Sequence, residues 1–279
     1  MKNKVKDFVL FTILVLYFVY CISNNYFIKE QVIYSFNIWI TKIIPSLFPT
    51  FIIVDLLYNS NIPYYINKYL HINCIYILSI ISGSPSNAYI LNKYNEDITK
   101  QLSITKYTSP IFTYTYLKAI FNHKIALLIM LTNILSNILL SLIIKPKNIK
   151  YSANKQQNIF MLLSTSIKTN INNLISILGT IIFFNTIPTN LINNIYLKTS
   201  ILSILEITTS LENLTNINLP YNIKLLFTLI SISTCGLCIE TQIKSIVNDT
   251  HINYKKYIHY RLLHLIIFLM LNFLIISFL

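Results

Sequence analysis

The sequence predicts an all-α fold, a polytopic membrane helical bundle in which several helices are broken or re-entrant. Hydrophobic residues make up 54% of the 279 residues and charged residues only 11%, whereas soluble domains carry about 25% charged residues. Several apolar runs are shorter than the roughly 20 residues that a spanning helix needs or contain Pro, Gly and Ser. Short, interrupted runs of this kind are typical of discontinuous membrane helices.

Nine apolar runs are candidates for membrane helices. They cover residues 8–22, 32–58, 73–91, 107–120, 124–144, 158–187, 190–208, 219–235 and 258–279. The first, fifth and last have the length of a single span. The first follows Lys2, Lys4 and Lys6, and no small-residue cleavage site comes after it. We therefore expect an uncleaved anchor helix in residues 1–31, with a cytoplasmic N-terminus.

A lysine-rich polar segment, 145–157, separates two segments of similar size, 32–144 and 158–279. Loops rich in Lys face the cytoplasm, so we expect a cytoplasmic loop here and a second one at Lys255–Arg261. Each half contains an amphipathic stretch, a broken segment and a long apolar helix. Interruptions at corresponding places in two halves indicate a transporter-like binding site.

The net charge of +13 would favour nucleic acid in a soluble protein. Here the lysines cluster at the ends of the apolar runs, where they set topology. The expected partner is therefore the lipid bilayer of the cell membrane, and no nucleic acid is expected.

Glycine is rare, and its positions are informative. The chain has three glycines, Gly83, Gly179 and Gly236, where average usage of about 7% predicts roughly twenty. Glycine tolerates positive φ and close backbone approach. Gly83 is expected to end one half-helix, with Ser84 as the N-cap of the next and Pro85 at its first position. Each glycine is expected to lie where a Cβ atom would be costly, and chance or helix packing against a small residue is the alternative for Gly83 and Gly179.

Other polar groups near the predicted breaks extend the candidate site. Ser82, Ser86 and Asn87 add hydrogen-bonding side chains around Gly83, and Ser109-Pro110 repeats the serine–proline helix start. Together the two starts resemble a re-entrant hairpin, although an ordinary loop between two spans is the alternative. Pro45 and Pro49 are predicted to break the helix that carries Trp39.

Three of the nine acidic residues lie within or beside apolar runs, Asp55, Glu206 and Glu240. A carboxylate inside a membrane is costly and is functional by default. Glu206 is the strongest candidate, and Glu240, which follows the break at Gly236, is expected to line the same cavity. Asp55 fits the end of a helix.

The sequence contains no constellation typical of a metal centre, a cofactor site or a catalytic site. The five histidines lack ligand spacing, and Cys235-Gly-Leu-Cys238 has no second cysteine pair, so buried apolar thiols are expected. No hydrolase, phosphate-binding or metalloprotease motif is found. We therefore predict no metal, no cofactor and no enzymatic activity.

Five short segments carry a family resemblance. They are Ile38-Trp39 with Pro45-Ser46-Leu47-Phe48-Pro49-Thr50-Phe51, Ser82-Gly83-Ser84-Pro85-Ser86-Asn87-Ala88, Thr108-Ser109-Pro110-Ile111-Phe112, Leu205-Glu206-Ile207-Thr208, and Cys235-Gly236-Leu237 with Gln242. They resemble, in order and spacing, segments of the YlbJ-type sporulation integral membrane proteins. The last four are similar to that family's S-G-x-P-x-G-A, S-x-P-x-F, L-E-x-T and G-G-L-S-x-x-x-Q elements. The resemblance extends from about residue 32 to the C-terminus.

That family belongs to a wider group with the nucleoside recognition, or Gate, domain. The group includes the spore maturation proteins, and its domain is related to parts of concentrative nucleoside transporters and of the ferrous iron transporter FeoB. The resemblance implies two Gate-like halves and a role in endospore formation, at the spore cortex. Asn87, Ser210 and Cys235 stand where the family has glycine, which implies a changed site if those glycines admit a solute to the backbone.

The sequence thus leads to two functional hypotheses. The first is a sporulation membrane protein with a transporter-like core that binds or moves a small polar solute. The second is a non-transporting scaffold that contacts other sporulation membrane proteins. The candidate solute-binding residues are Ser82, Gly83, Ser84, Pro85, Ser86, Asn87, Ser109, Pro110, Glu206, Thr208, Gly236, Glu240 and Gln242.

Overall fold

The computed structural model describes residues 2–71, 73–93, 97–147, 158–247 and 252–276. These residues form helices joined by short links, and the described part of the chain contains no strand. The all-α prediction is confirmed. The helices are α1 Lys2–Ser23, α2 Asn25–Ile38, α3 Ile44–Asn59, α4 Ile62–Leu70, α5 Cys74–Ser82, α6 Ser86–Leu91, α7 Thr99–Ile104, α8 Pro110–Ile120, α9 His123–Ile144, α10 Ile159–Asn185, α11 Ile195–Leu205, α12 Ile207–Asn216, α13 Tyr221–Thr234, α14 Gly236–Ile246 and α15 Tyr254–Ile276.

Six helical runs in the described residues are long and apolar enough to cross a membrane. They are Lys4–Ser23, Asn25–Asn59, His123–Ile144, Ile159–Leu191, Tyr221–Ile246 and Tyr254–Ile275. Their outward faces carry large apolar side chains such as Phe11, Leu131 and Met270. Apolar residues on the outer surface of a bundle match a hydrocarbon environment, so these helices support an integral membrane protein.

Four helix pairs are broken helices, in which two short helices meet at an interruption of the chain. They are α5–α6, α7–α8, α11–α12 and α13–α14. Each half therefore contains a long helical run, two broken helices and a second long helix in that order, and the first half has the additional short helix α4 after its first run. The halves join where α3 packs against α10 and where α9 packs against α15. This arrangement places all four interruptions inside the bundle.

Helix α1 lies at the edge of the bundle and is bound chiefly through tyrosines. The Tyr17 hydroxyl lies 2.6 Å from Thr186 Oγ1, and the Tyr20 hydroxyl donates to Asn190 Oδ1 at 2.5 Å. The predicted boundary at residue 31 falls inside α2, which runs from Asn25 to Ile38. Of the predicted loop 145–157, only 145–147 are described; they follow α9 without helical structure.

The predicted helix break at Pro45 and Pro49 is wrong. The chain stays helical from Asn25 to Asn59, and its irregularity is a π-helical turn at Trp39–Ile43, upstream of both prolines. The π-helical turn ends two residues before Pro45, which has no N–H to donate, so the irregularity adjoins the proline without ending the helix. The Trp39 indole donates to the Leu174 carbonyl of α10 at 2.8 Å and so joins the two halves.

Arg261 was predicted to belong to a cytoplasmic basic loop, and this prediction is also wrong. It lies two turns inside α15 and is buried, whereas Lys255 and Lys256, near the start of the helix, are exposed. Helical periodicity turns residue 261 inward while it leaves 255 and 256 on the outer face.

Candidate functional site

The two broken helices of the first half touch backbone to backbone at Gly83. This residue ends α5, as predicted, with φ +74°. A Cβ atom at Gly83 would lie 2.5 Å from the Ser109 backbone nitrogen, so no other residue fits. Beside it, the Ser84 N–H donates to the Tyr107 carbonyl at 2.7 Å. We call this contact the first crossing.

The second half contains an equivalent contact at Gly236, which we call the second crossing. Cys235 and Gly236 both have positive φ, +57° and +75°, and α14 begins at Gly236. A Cβ atom at Gly236 would lie 3.0 Å from the Leu205 carbonyl oxygen and 3.1 Å from Glu206 Cα. Two of the three glycines thus bring the interruptions of a half into contact. At the third, Gly179, a Cβ atom would meet nothing within 4 Å, so the expected cost of a Cβ atom is wrong for this residue.

Between the two crossings lies a small cavity, which we call the central cavity. Its volume is about 40 Å³, and its polar lining is Ser84, Thr108, Ser109, Glu206, Thr208 and Gln242. Part of the apolar wall comes from α3 and α10, with Leu47, Ile177 and Ile181. All four broken helices contribute to the lining. Six of the predicted site residues therefore lie around one cavity: Ser84, Pro85, Ser109, Glu206, Thr208 and Gln242.

Glu206 is the only acidic residue among those lining the central cavity, and it is buried with 2% exposure. Its carboxylate accepts hydrogen bonds from the N–H groups of Thr208 at 3.0 Å and Thr209 at 2.6 Å. It therefore caps the N-terminus of α12, where the helix dipole favours a negative charge. The Thr209 hydroxyl lies 2.7 Å from both this carboxylate and the Asn185 side-chain oxygen, which ties the cap to α10.

Three polar atoms that line the central cavity are buried without a hydrogen-bond partner. They are Ser84 Oγ, Ser109 Oγ and Gln242 Oε1. The Gln242 amide is oriented by its nitrogen, which donates to Thr180 Oγ1 at 2.5 Å. A buried polar group without a partner costs about 1–3 kcal/mol. Three such groups in one cavity beside a carboxylate form a set able to bind a ligand with hydrogen-bond donors.

The predicted Ser84 cap is wrong, since Pro85 is the N-cap residue of α6 and not its first helical residue. Ser109 occupies the predicted N-cap position of α8 but makes no capping hydrogen bond. Helix α6 begins at Ser86, two residues after Ser84, and neither it nor α8 has a side-chain cap. Pro110 does occupy the first position of α8, as predicted. The crossing holds Ser84 and Ser109 in extended or irregular backbone next to each other, so their hydroxyls are directed away from the helix ends.

Other predicted residues lie outside the central cavity. Ser82 donates to the Leu78 carbonyl of its own helix, and Asn87 donates to Thr105 at 3.0 Å across to the link before α8. Both contacts hold the first crossing in shape. Ser86 lines a separate cavity of about 300 Å³ that also contains Asp55 and Lys93.

Glu240 was expected to share a cavity with Glu206, and the structure separates them. Glu240 lies in a cavity of about 560 Å³, on the far side of the second crossing, that also borders Gly236. There it forms an ion pair with Lys106 and accepts a hydrogen bond from the Tyr257 hydroxyl at 3.2 Å. Glu240 lies two residues from both Cys238 and Gln242, which line the central cavity, so it faces the opposite side of α14, toward Tyr257 of α15.

Sequence reasoning missed two buried cations, Lys106 and Arg261. Lys106 lies in the link between α7 and α8 with 1% exposure, and Arg261 lies in α15 with 8%. The topology rule places lysines at the membrane surface and does not single out Lys106. Arg261, however, is the single arginine in a chain with 22 basic residues, and a guanidinium is favoured where several fixed acceptors must be satisfied at once.

The described residues contain no group of three His, Cys, Asp or Glu side chains that could hold a metal ion. Cys235 and Cys238 are buried free thiols. Comparison with protein-family models, with curated proteins and with solved structures finds no match to this chain.

Proposed function

We propose that the chain is a multi-pass membrane protein whose transporter-like core binds a small polar solute in the central cavity. The observation that carries the proposal is the convergence of Ser84, Ser109 and Gln242, each with an unpartnered polar atom, on the cavity of the Glu206 carboxylate. Polar groups without partners inside a membrane bundle are rare and mark ligand pathways. Because the set is rich in acceptors, the preferred solute carries N–H or O–H donors.

The volume of the cavity restricts what it holds in this conformation. About 40 Å³ accommodates a few waters, since one water needs roughly 10–15 Å³ on this measure. Pockets for drug-sized ligands have about 300–1,000 Å³. A solute as large as a nucleoside therefore requires the elements around the cavity to move apart.

Two further parts of the proposal rest on the sequence. The shared order of elements in the two halves supports two Gate-like repeats, and the five family-like segments support a role in endospore formation at the spore cortex. The lysines at the start of α1 support a cytoplasmic N-terminus. Other sporulation membrane proteins are the proposed protein partners.

Ser84→Ala provides the direct test of solute binding. Removing an unpartnered buried hydroxyl should leave the unfolding temperature of the free protein unchanged or slightly higher. In wild type, a saturating solute from a panel of nucleosides, amino acids and polyols should stabilise the fold by about 3 kcal/mol at a hundred times its Kd. We expect the variant to lose at least half of that shift in thermal unfolding.

Ser86→Ala is the matched control, because Ser86 lies two residues away and lines the other cavity. It should retain the full solute response. If no solute in the panel stabilises wild type, or if both variants respond equally, the central cavity is not a solute site. A scaffold that acts through protein contacts would give the first of these results.

The sporulation proposal is tested in a spore-forming host whose own copy is replaced. Glu206→Gln removes the charge while it retains one oxygen for the α12 cap, so we expect normal membrane abundance on immunoblots and at least a tenfold loss of heat-resistant spores. Lys256→Ala, at an exposed position, should sporulate normally. Full resistance in the Glu206→Gln strain would contradict a role for this site in the spore cortex.

A further inference from the structure

Two half-helices, α7 and α13, end inside the bundle, and their C-terminal carbonyls need partners there. A helix C-terminus carries about half a negative charge, and its last carbonyls lack donors within the helix. In bulk water these groups are solvated, whereas inside a membrane bundle they need partners from the protein. Both ends are met by buried cationic side chains of the chain itself.

Arg261 bridges the two helix ends. Its two terminal nitrogens donate to the Ser103 carbonyl of α7 at 2.8 Å and to the Ser233 carbonyl of α13 at 2.7 Å. The guanidinium also reaches Asn137 Oδ1 at 3.3 Å and His264 Nδ1 at 3.2 Å. No carboxylate pairs with it among the described side chains, so the helix ends and these neutral acceptors compensate its charge.

Lys106 binds the last carbonyl oxygen of α13. Its ammonium donates to the Thr234 carbonyl at 2.6 Å and pairs with the Glu240 carboxylate. The side chain of Lys106 is fully buried, while that of Glu240 is 28% exposed. A backbone carbonyl at a helix end and a carboxylate are oxygen ligands of the kind that hold hard cations.

In transporters with discontinuous helices, half-helix C-terminal ends and unwound carbonyls coordinate the coupling sodium ion or proton. We infer that Lys106 is a tethered cation that takes the place of such an ion, with Arg261 in the same role at the neighbouring end. Removal of the Lys106 ammonium then exposes a monovalent cation site formed by Thr234 O and the Glu240 carboxylate. The consequence for coupling, which rests on the proposed function, is that solute binding needs no sodium.

Thermal unfolding of purified protein without any solute tests this inference. Wild type should have the same unfolding temperature in sodium chloride and in choline chloride at equal ionic strength. Lys106→Ala should be destabilised in choline chloride and recover by roughly 3–8 °C in sodium chloride, a typical response to a bound ligand for a chain of this size. Lys42→Ala is the matched control, because it also removes the lysine of a Lys–Glu pair, with Glu212, but at no half-helix end.

A sodium response of wild type, or of Lys42→Ala to the same extent, would overturn the inference. If Lys106→Ala is unfolded in both salts, Lys106→Ser, which leaves a slightly smaller and more polar cavity, is the second variant and should respond to sodium. Lack of a response in both variants also overturns it. Since no solute is present, these results stand whether or not the central cavity binds one.

Discussion

Gly83→Ala is expected to lower the unfolding temperature of the purified protein by about 10 °C, equivalent to at least ~3 kcal/mol for a chain of this length. Two penalties combine. An alanine at φ +74° is strained by roughly 1–2 kcal/mol, and its Cβ would lie 2.5 Å from the Ser109 nitrogen and 3.0 Å from Ser109 Cα. Both atoms belong to the backbone, so no rotamer change relieves the overlap.

The other two glycines provide a graded control for the same substitution. Gly236→Ala meets the Leu205 carbonyl at 3.0 Å with φ +75°, so it should destabilise the protein by a smaller amount. Gly179→Ala meets nothing within 4 Å inside α10 and should stabilise by up to ~1 kcal/mol, since alanine favours a helix. Thermal unfolding in one detergent ranks the three. Equal effects at residues 83 and 179 would mean that the first crossing does not form.

Arg261→Lys is expected to destabilise the protein by about 2–4 kcal/mol, although the charge is retained. The two terminal nitrogens of the guanidinium donate to carbonyls on α7 and α13 at the same time. A lysine has a single ammonium nitrogen and cannot reproduce this planar two-nitrogen geometry. At least one buried carbonyl loses its partner, at about 1–3 kcal/mol. Differential scanning fluorimetry and protease resistance of the purified variant measure the loss.

Lys256→Arg is the complementary control, because it exchanges the same two residue types at an exposed position one and a half turns earlier in α15. Its stability should stay within ~0.5 kcal/mol of wild type. An Arg261→Lys protein as stable as wild type would show that a point charge suffices, and that the bridge between the two helix ends contributes little.

Much of the architecture was predictable because it depends on local chemistry. Apolar composition and run length indicate membrane helices, and scarcity of glycine makes Gly83 and Gly236 stand out. The positive φ at both is the backbone conformation for which glycine is most suited. Glu206 stands out in the same way, because a carboxylate in an apolar run is costly and is a candidate functional group by default.

Other features depend on contacts that are distant in sequence. Serine–proline pairs look like helix caps, but neither Ser84 nor Ser109 makes a capping hydrogen bond. Both hydroxyls lie at the central cavity instead. Lys106 resembles any lysine at the end of an apolar run until Thr234 and Glu240, over 100 residues later, are brought beside it. The separation of Glu240 from Glu206 likewise follows from the direction of α14, which the position of Gly236 alone does not determine.

The glycine crossings also limit how the molecule can open. At each crossing the backbones touch with no side chain between them. Rotation of one broken helix against the other cannot be relieved by a change of rotamer, so the two broken helices of a half move as one rigid unit. The seam between the halves is different, since it is closed by side chains such as the Lys106–Glu240 pair and the Trp39–Leu174 hydrogen bond. Such contacts can exchange partners. Widening of the central cavity is therefore a movement of one half against the other, during which each crossing keeps its shape.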